Sequence, residues 1–217
     1  TSHSFVSKRL AELAGLDINN SKLIICHIGN GGSVTAVCNG KSVDTSMGLT
    51  PLEGIIMGTR SGSIDPAIIE FIAHKENKTI DEIMNILNKE SGLTGMSGLT
   101  SDFRDIRAGV QANNAYAKAT MEAYIYSIVK YVGAYIAAMN GVDAIAFTAG
   151  IGENAPELRQ RVMEHLGFLG VKADLEKCKI TGEEVMVSTA TSKVKVFIVP
   201  TNEELAIARE TKALVEK

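Results

Sequence analysis

The sequence is short of cysteine and proline and has no apolar run long enough to span a bilayer. Three of its 217 residues are Cys, at positions 26, 38 and 178, an odd number set far apart. No CxxC pair occurs, which argues against a disulfide scaffold or a zinc ribbon and fits a reducing, cytoplasmic compartment. No stretch reaches the ~18 apolar residues of a membrane-spanning helix, and no signal-peptide pattern opens the chain. Lys and Arg (22) are outnumbered by Asp and Glu (25), for a formal charge of −3. A nucleic-acid partner would call for a basic face that this balance does not supply. A Walker A loop, a GxSxG elbow and any His, Cys and acid cluster with zinc spacing are also missing. The first residue is Thr1, not Met, so a processed chain or a piece of a longer one is expected.

What is present suits a folded globular chain. Hydrophobic types make up 45% and charged types 22%, enough for a buried core and too little charge for disorder. The apolar pattern switches between helix and strand periods and no linker interrupts it, so one mixed α/β domain is expected. A helix is predicted from His3 to Ala14, stopped by Gly15. Strands are predicted at Lys22 to His27, Ser33 to Cys38 and Lys41 to Asp44, with Asn39-Gly40 as a two-residue hairpin turn. Asp65-Pro66 starts a helix running to about His74, and Thr79 with Glu82 is a capping-box pair for the next. Asn114 to Asn140 reads as one long helix holding all five tyrosines, with a second half apolar nearly all round. A strand from Asp143 to Thr148, a loop from Ala149 to Asn154 and a helix from Pro156 to Leu166 follow. Lys193 to Val199 is a strand, and a last helix runs from Glu203 to Val215. His74 and His165 lie on helices and read as solvated.

Glycine is concentrated: eight of the 20 lie between Gly29 and Gly62. The segment His27-Ile28-Gly29-Asn30-Gly31-Gly32-Ser33 joins two predicted strands with more glycine than a turn needs. It reads as a loop whose backbone N–H groups meet an anion, or else as an ordinary glycine-rich turn. Gly150-Ile151-Gly152-Glu153-Asn154 follows a strand and suits close approach of a base or ribose, or a tight strand-to-helix turn. It is not a full dinucleotide fingerprint, because the third glycine position is Ala155. Arg60 stands between Gly58 and Gly62, where a guanidinium can clamp a phosphate or carboxylate. Alone, it would read as a surface arginine. Gly92 to Gly98 looks like a loop leading to Asp102-Phe103-Arg104, with Ser101 as a helix cap.

Taken together, Thr1-Ser2-His3-Ser4, Cys26 to Ser33, Asp44 to Pro66, Ser91 to Asp105, Phe147 to Asn154 and Pro200 to Arg209 resemble the carboxyl-terminal half of the acetate kinase family. That family is similar to sugar kinases, actin and the heat-shock 70 chaperones. The resemblance implies a ribonuclease-H-like α/β fold, with antiparallel hairpins in a mixed sheet and flanking helices. It makes residues 1–217 the carboxyl-terminal nucleotide-binding domain, with the amino-terminal domain absent. The implied reaction is reversible phosphoryl transfer between ATP and acetate, giving ADP and acetyl phosphate with Mg2+ or Mn2+. His27, Ile28, Gly29, Asn30 and Gly31 would meet the phosphates. Asp102, Phe103 and Arg104 would flank the nucleotide, and Gly150, Ile151, Gly152, Glu153 and Asn154 would border the adenosine. His3 and Arg60 match the stabilisers of the transferring phosphoryl group, and Glu203 matches the magnesium-associated acid. A homodimer is implied as well. Two alternatives stay open: a propionate or other short-chain acyl kinase, and a nucleotide-binding or dimer-forming module without catalysis of its own.

Overall fold

The computed structural model describes residues 1–202 together with 207, 208, 211, 212, 214 and 215. The chain forms two compact units: residues 1–28, 34–45 and 132–217 in the first, residues 29–33 and 46–131 in the second. No linker marks this division in the sequence.

The first unit is built on a six-stranded sheet. Its strands are β1 (Lys22–Ile28), β2 (Gly32–Cys38), β3 (Lys41–Thr45), β4 (Ala144–Thr148), β5 (Val185–Met186) and β6 (Lys195–Ile198), in the spatial order β3-β2-β1-β4-β6-β5. Three residues separate β1 from β2, too few for a crossover, so β2 runs back along β1. β2 and β3 pair antiparallel through the predicted turn, where Asn39 and Gly40 have φ of 52° and 75°. Two positive angles in succession are what a tight primed hairpin turn requires, and Asn-Gly supplies them at least cost. β4 then pairs parallel to β1, and β6 parallel to β4. This is the ribonuclease-H-like arrangement expected: hairpins first, crossover strands after. β5, only two residues long, was not anticipated.

β1 and β4 are apolar at almost every position because both of their faces are covered. On one face lies helix α1 (Ser2–Ala14), which ends on Gly15 at φ 65°. Val6, Leu10, Ala11 and Ala14 of α1 pack on Leu23, Ile25, Ala144, Ala146, Phe197 and Val199. Lys195 Nζ reaches over this layer to the Ala14 carbonyl, 2.5 Å away.

The second unit is mainly helical: α2 (Ala67–Glu76), α3 (Ile80–Lys89), α4 (Gly92–Ser97), α5 (Phe103–Gln111) and the first part of α6 (Ala115–Ala138). The capping box at α3 is present, with the Thr79 hydroxyl accepting from Glu82 N–H and the Glu82 carboxylate accepting from Thr79 N–H. The Asp65 carboxylate accepts from Ala67 N–H at 3.0 Å and starts α2. Gly92 to Gly98 is a short helix where a loop was expected, and α5 is capped by Asp102, not Ser101. In α6 the second half is buried on one side only, through Ile128, Val132, Tyr135 and Ile136; Ala134, Ala137 and Ala138 are exposed. In the last expected helix, the described residues from Ile207 to Val215 are helical, but its start, Glu203 included, lies outside the described residues. Among the described residues no helix is long and apolar enough to cross a membrane.

Leu10 is fully buried at the centre of the α1 layer. Leu10→Ala should therefore destabilise the chain by about 3 kcal/mol, read as a lower urea midpoint with an unchanged slope.

Candidate functional site

Strands β1, β4 and β6 are parallel neighbours, so their carboxyl ends emerge together. Side chains two residues apart share a face. Leu23 and Ile25, Ala144 and Ala146, and Phe197 and Val199 all face α1. One step further along that face come His27, Thr148 and Thr201, and the aliphatic layer gives way to polar groups. The Ser2 hydroxyl of α1 closes this edge. Its Oγ lies 2.9 Å from His27 Nδ1 and 3.0 Å from Thr201 Oγ1. The His3 and His27 rings are 5.9 Å apart at 60°. Burial, and secondarily the neighbouring His27, push the His3 pKa down to about 4. His3 is therefore neutral at pH 7 and can act there as a hydrogen-bonding group.

The segment after β4 is a helix, α7 (Ala149–Asn154), not the expected loop. The chain turns into it through Ala149, whose φ of 66° is left-handed for a residue with a Cβ. Such a conformation costs about 1–3 kcal/mol and persists only where the surroundings impose it. Here the Glu153 carboxylate imposes it. Oε1 accepts from Ala149 N–H at 2.7 Å, Thr201 N–H at 3.2 Å and Thr148 Oγ1 at 3.5 Å. Glu153, expected at the adenosine, thus turns inward and ties α7 to the end of β6. Gly150 and Asn154 stay exposed, the Asn154 amide donating to the Gly150 carbonyl at 2.9 Å, while Gly152 is buried.

In the second unit, the tip of the Gly29–Ser33 loop is exposed at Asn30 and Gly31, whereas the preceding Ile28 belongs to the sheet and is fully buried. Gly29 N–H donates to the Gly31 carbonyl at 3.1 Å and is thereby used within the loop. Among the described residues, the Asn30 and Gly31 N–H groups have no protein acceptor. Gly58 N–H donates to the Asn30 carbonyl at 2.8 Å, and a Cβ on Gly58 would sit 1.8 Å from Asn30 Oδ1. Close approach therefore dictates glycine at position 58. A Cβ on Gly31 would lie 3.4 Å from Arg60 Nη1, so the guanidinium rests directly over the loop.

The Arg60 segment is itself rigid. Met57 N–H donates to the Arg60 carbonyl, and Leu93 N–H and Thr94 N–H donate to the Met57 and Gly58 carbonyls. Gly92, at φ 60°, would place a Cβ 2.1 Å from the Met57 carbonyl oxygen. Arg60 Nη1 makes only long contacts, 3.4 Å to the Pro51 carbonyl and 3.5 Å to Met57 Sδ. Among the described residues no carboxylate pairs with it. A half-buried cation fixed over two open N–H groups is chemically suited to an anion.

Asp102, Phe103 and Arg104 are placed differently from one another. Asp102 accepts from Arg104 N–H and binds the Arg104 guanidinium at 2.5 Å, which holds its carboxyl down at about 2. Arg104 is exposed. Phe103 is buried in the core, with its ring centroid 5.7 Å from that of Tyr124. The residues sequence reasoning missed are Ser2 and Arg159. The period-two pattern could have flagged Ser2 through His27; nothing in the sequence distinguishes Arg159 from a solvated helix arginine.

The first unit is thus an α/β layer whose parallel strands end in polar loops, and the second unit holds an arginine on a glycine-fixed segment. The chain belongs to the acetokinase family, whose model matches residues 1–209. It is 62% identical to an acetate kinase of Lachnoclostridium phytofermentans over 215 residues, 99% of this chain and 54% of that protein. The crystal structure of Porphyromonas gingivalis acetate kinase superposes with a TM-score of 0.96 at 43% identity, over 99% of this chain and 54% of that one. A propionate kinase from Francisella tularensis superposes at 0.89 and 40% identity, over 96% of this chain and 53% of that one. The chain thus spans about half the length of the relatives it matches.

Two outcomes follow from the first-unit geometry. Between pH 6.5 and 4 the unfolded chain takes up a proton at His3 that the folded chain refuses, so stability falls as pH falls through that window. His3→Gln should flatten this part of a plot of unfolding free energy against pH, and an unchanged slope would show that the ring titrates alike in both states. Ala149→Gly should stabilise the chain by about 1 kcal/mol by relieving the left-handed strain, measured by chemical denaturation; a loss of stability would show that the methyl packing outweighs the strain.

Proposed function

We propose that this chain is the carboxyl-terminal, nucleotide-binding half of an acetate kinase. It acts in reversible phosphoryl transfer between ATP and acetate. An acetate oxygen attacks the γ-phosphorus, the new O–P bond forms, and the bond to the β,γ-bridging oxygen breaks. ADP leaves with that electron pair. The observation that carries the reading is Arg60, held over Gly31 on a glycine-fixed segment and left without a carboxylate partner among the described residues. A phosphoryl group in transfer spreads negative charge over its equatorial oxygens, and a cation already in place stabilises that charge without reorganising.

The Asn30 and Gly31 N–H groups and the Asn30 amide serve the phosphates. Gly150, Ile151 and Asn154 border the adenosine, and Arg104 contributes an exposed planar cation on the nucleotide flank. His3 enters as a neutral hydrogen-bonding group. Mg2+, or Mn2+ in its place, would supply neutralisation of phosphate charge when bound with the nucleotide. Among the described residues no group of three or more acids, histidines or cysteines could form a resident metal cage. Glu203, which the resemblance matches to the family's acid for the metal, would be the chain's oxygen donor to such an ion and lies outside the described residues. The free Cys26, Cys38 and Cys178 support a cytoplasmic setting. Helix α2 buries none of its residues and exposes Ile68 and Phe71, and α6 exposes Tyr116 and Tyr126. These apolar surfaces support a homodimer. A difference of one methylene in an apolar pocket is worth only ~1–3 kcal/mol, so propionate is expected to be accepted alongside acetate.

The test uses a full-length polypeptide in which this chain follows an amino-terminal half of the family type. Arg60→Ala should cut acetyl phosphate formation by roughly 10³-fold or more while leaving Mg-ADP affinity nearly unchanged. Asn30→Ala should weaken Mg-ADP binding instead. The chain alone should show negligible turnover; acetyl phosphate formation by it near the full-length rate would sink the half-enzyme reading. Equal loss of binding and turnover in Arg60→Ala would favour a module that binds nucleotide without catalysing transfer.

A further inference from the structure

Arg159 has the largest fully buried side chain among the described residues. It belongs to α8 (Pro156–His165) and its hydrogen bonds all go to backbone carbonyls. Nη1 donates to Gly152 at 2.8 Å, and Nη2 donates to Cys178 at 2.6 Å and Ile180 at 2.9 Å. Nε is buried with no hydrogen-bond partner among the described residues. Burial pulls its pKa down from the usual arginine value. Stability alone does not account for this arrangement. A charge without a hydrogen-bonded carboxylate is expensive to bury, and an apolar side chain of similar volume is often tolerated as well or better.

The geometry suggests what the charge is for. A six-residue helix leaves its last four carbonyls without partners inside the helix. Arg159 takes one of them, at Gly152, while the Glu153 carboxylate takes the N–H at the other end, Ala149. The short stretch Gly150-Ile151-Gly152 is thus held at both ends by ionised side chains. The other two bonds of Arg159 fasten it to the turn at residues 177–180. That turn is in its own right tied to the segment after β5, with Cys178 Sγ 3.6 Å from the Val187 carbonyl. The guanidinium is a rigid three-way fork, a shape lysine cannot reproduce.

We propose that Arg159 is a positioning residue for nucleotide binding: it sets the place of α7 through the Gly152 carbonyl and touches no ligand itself. The proposal rests on reading Gly150 to Asn154 as the adenosine border. It requires that loosening α7 weakens nucleotide binding without touching the acid substrate.

The experiment measures Mg-ADP affinity by calorimetry, and KM for ATP and for acetate, in the full-length polypeptide and its Arg159→Met and Arg159→Lys variants. Circular dichroism reports folding in each. Displacing a binding element by ~1 Å can cost as much as ~10²-fold. Arg159→Met should fold, raise the Mg-ADP Kd and the KM for ATP by ~10-fold or more, and change the KM for acetate by less than ~2-fold. Arg159→Lys, reaching fewer carbonyls, should fall between. An unchanged Kd in folded Arg159→Met overturns the proposal, as does a parallel rise in both KM values. Failure of both variants to fold overturns it too, in favour of a purely structural role. Absence of Mg-ADP binding by the unsubstituted protein would overturn the nucleotide reading itself, and so stands apart from these results.

Discussion

The side-chain period of two, applied to three parallel strands under one helix, is the constraint on which the first unit depends. β1, β4 and β6 run side by side, so a residue's parity fixes whether it faces α1. Odd positions of β1 and β6 and even positions of β4 carry aliphatic and aromatic groups into the α1 core. The same parity continued past the core gives His27, Thr148 and Thr201. A slip of one residue in β1 or β6 would turn His27 or Thr201 away from Ser2. The Ser2 hydroxyl, bonded to both His27 and Thr201, reports that the register is kept. Packing and site geometry are thus set by one periodicity.

Much of this was legible in the sequence. The apolar runs of β1 and β4, the Asn39-Gly40 turn and the Thr79–Glu82 capping box each have a local cause, and each appears as expected. The glycine clusters read as places for close approach of a ligand or as tight turns. The structure refines the reason: Gly58 is needed for close approach to Asn30, and Gly92 for both close approach and a positive φ. What could not be read depends on particular side-chain partners, some near and some distant in sequence. α7 forms because a carboxylate four residues on holds Ala149 in a conformation that propensity alone disfavours. Phe103 reads as a surface neighbour of two charged residues until Tyr124, on another helix, is brought against it. The two-unit division left no compositional trace, because its boundaries fall at a hairpin end, after β3 and within the continuous helix α6.

The arginines show how the surroundings decide what one side chain can do. Arg9 is saturated by Glu12 and Glu184, with bonds of 2.6 to 2.8 Å, and is exposed; screening by water leaves such a pair little net effect. Arg104 turns back on Asp102 within its own cap, so its charge is half spoken for, although the group remains at the surface. Arg159 is fully buried and its Nη donors go to three backbone carbonyls, so it presents no charge to a ligand. Arg60 differs from all three. Its backbone is locked by Met57, Leu93 and Thr94, while its guanidinium holds only two long contacts. The rigid half fixes where the charge sits, and the uncommitted half fixes what it can meet. An arginine held this way pays its ordering cost during folding, so an arriving anion encounters a cation that need not reorganise. That asymmetry, rather than the number of basic residues in a chain of net charge −3, is what makes this one segment chemically suited to an anion.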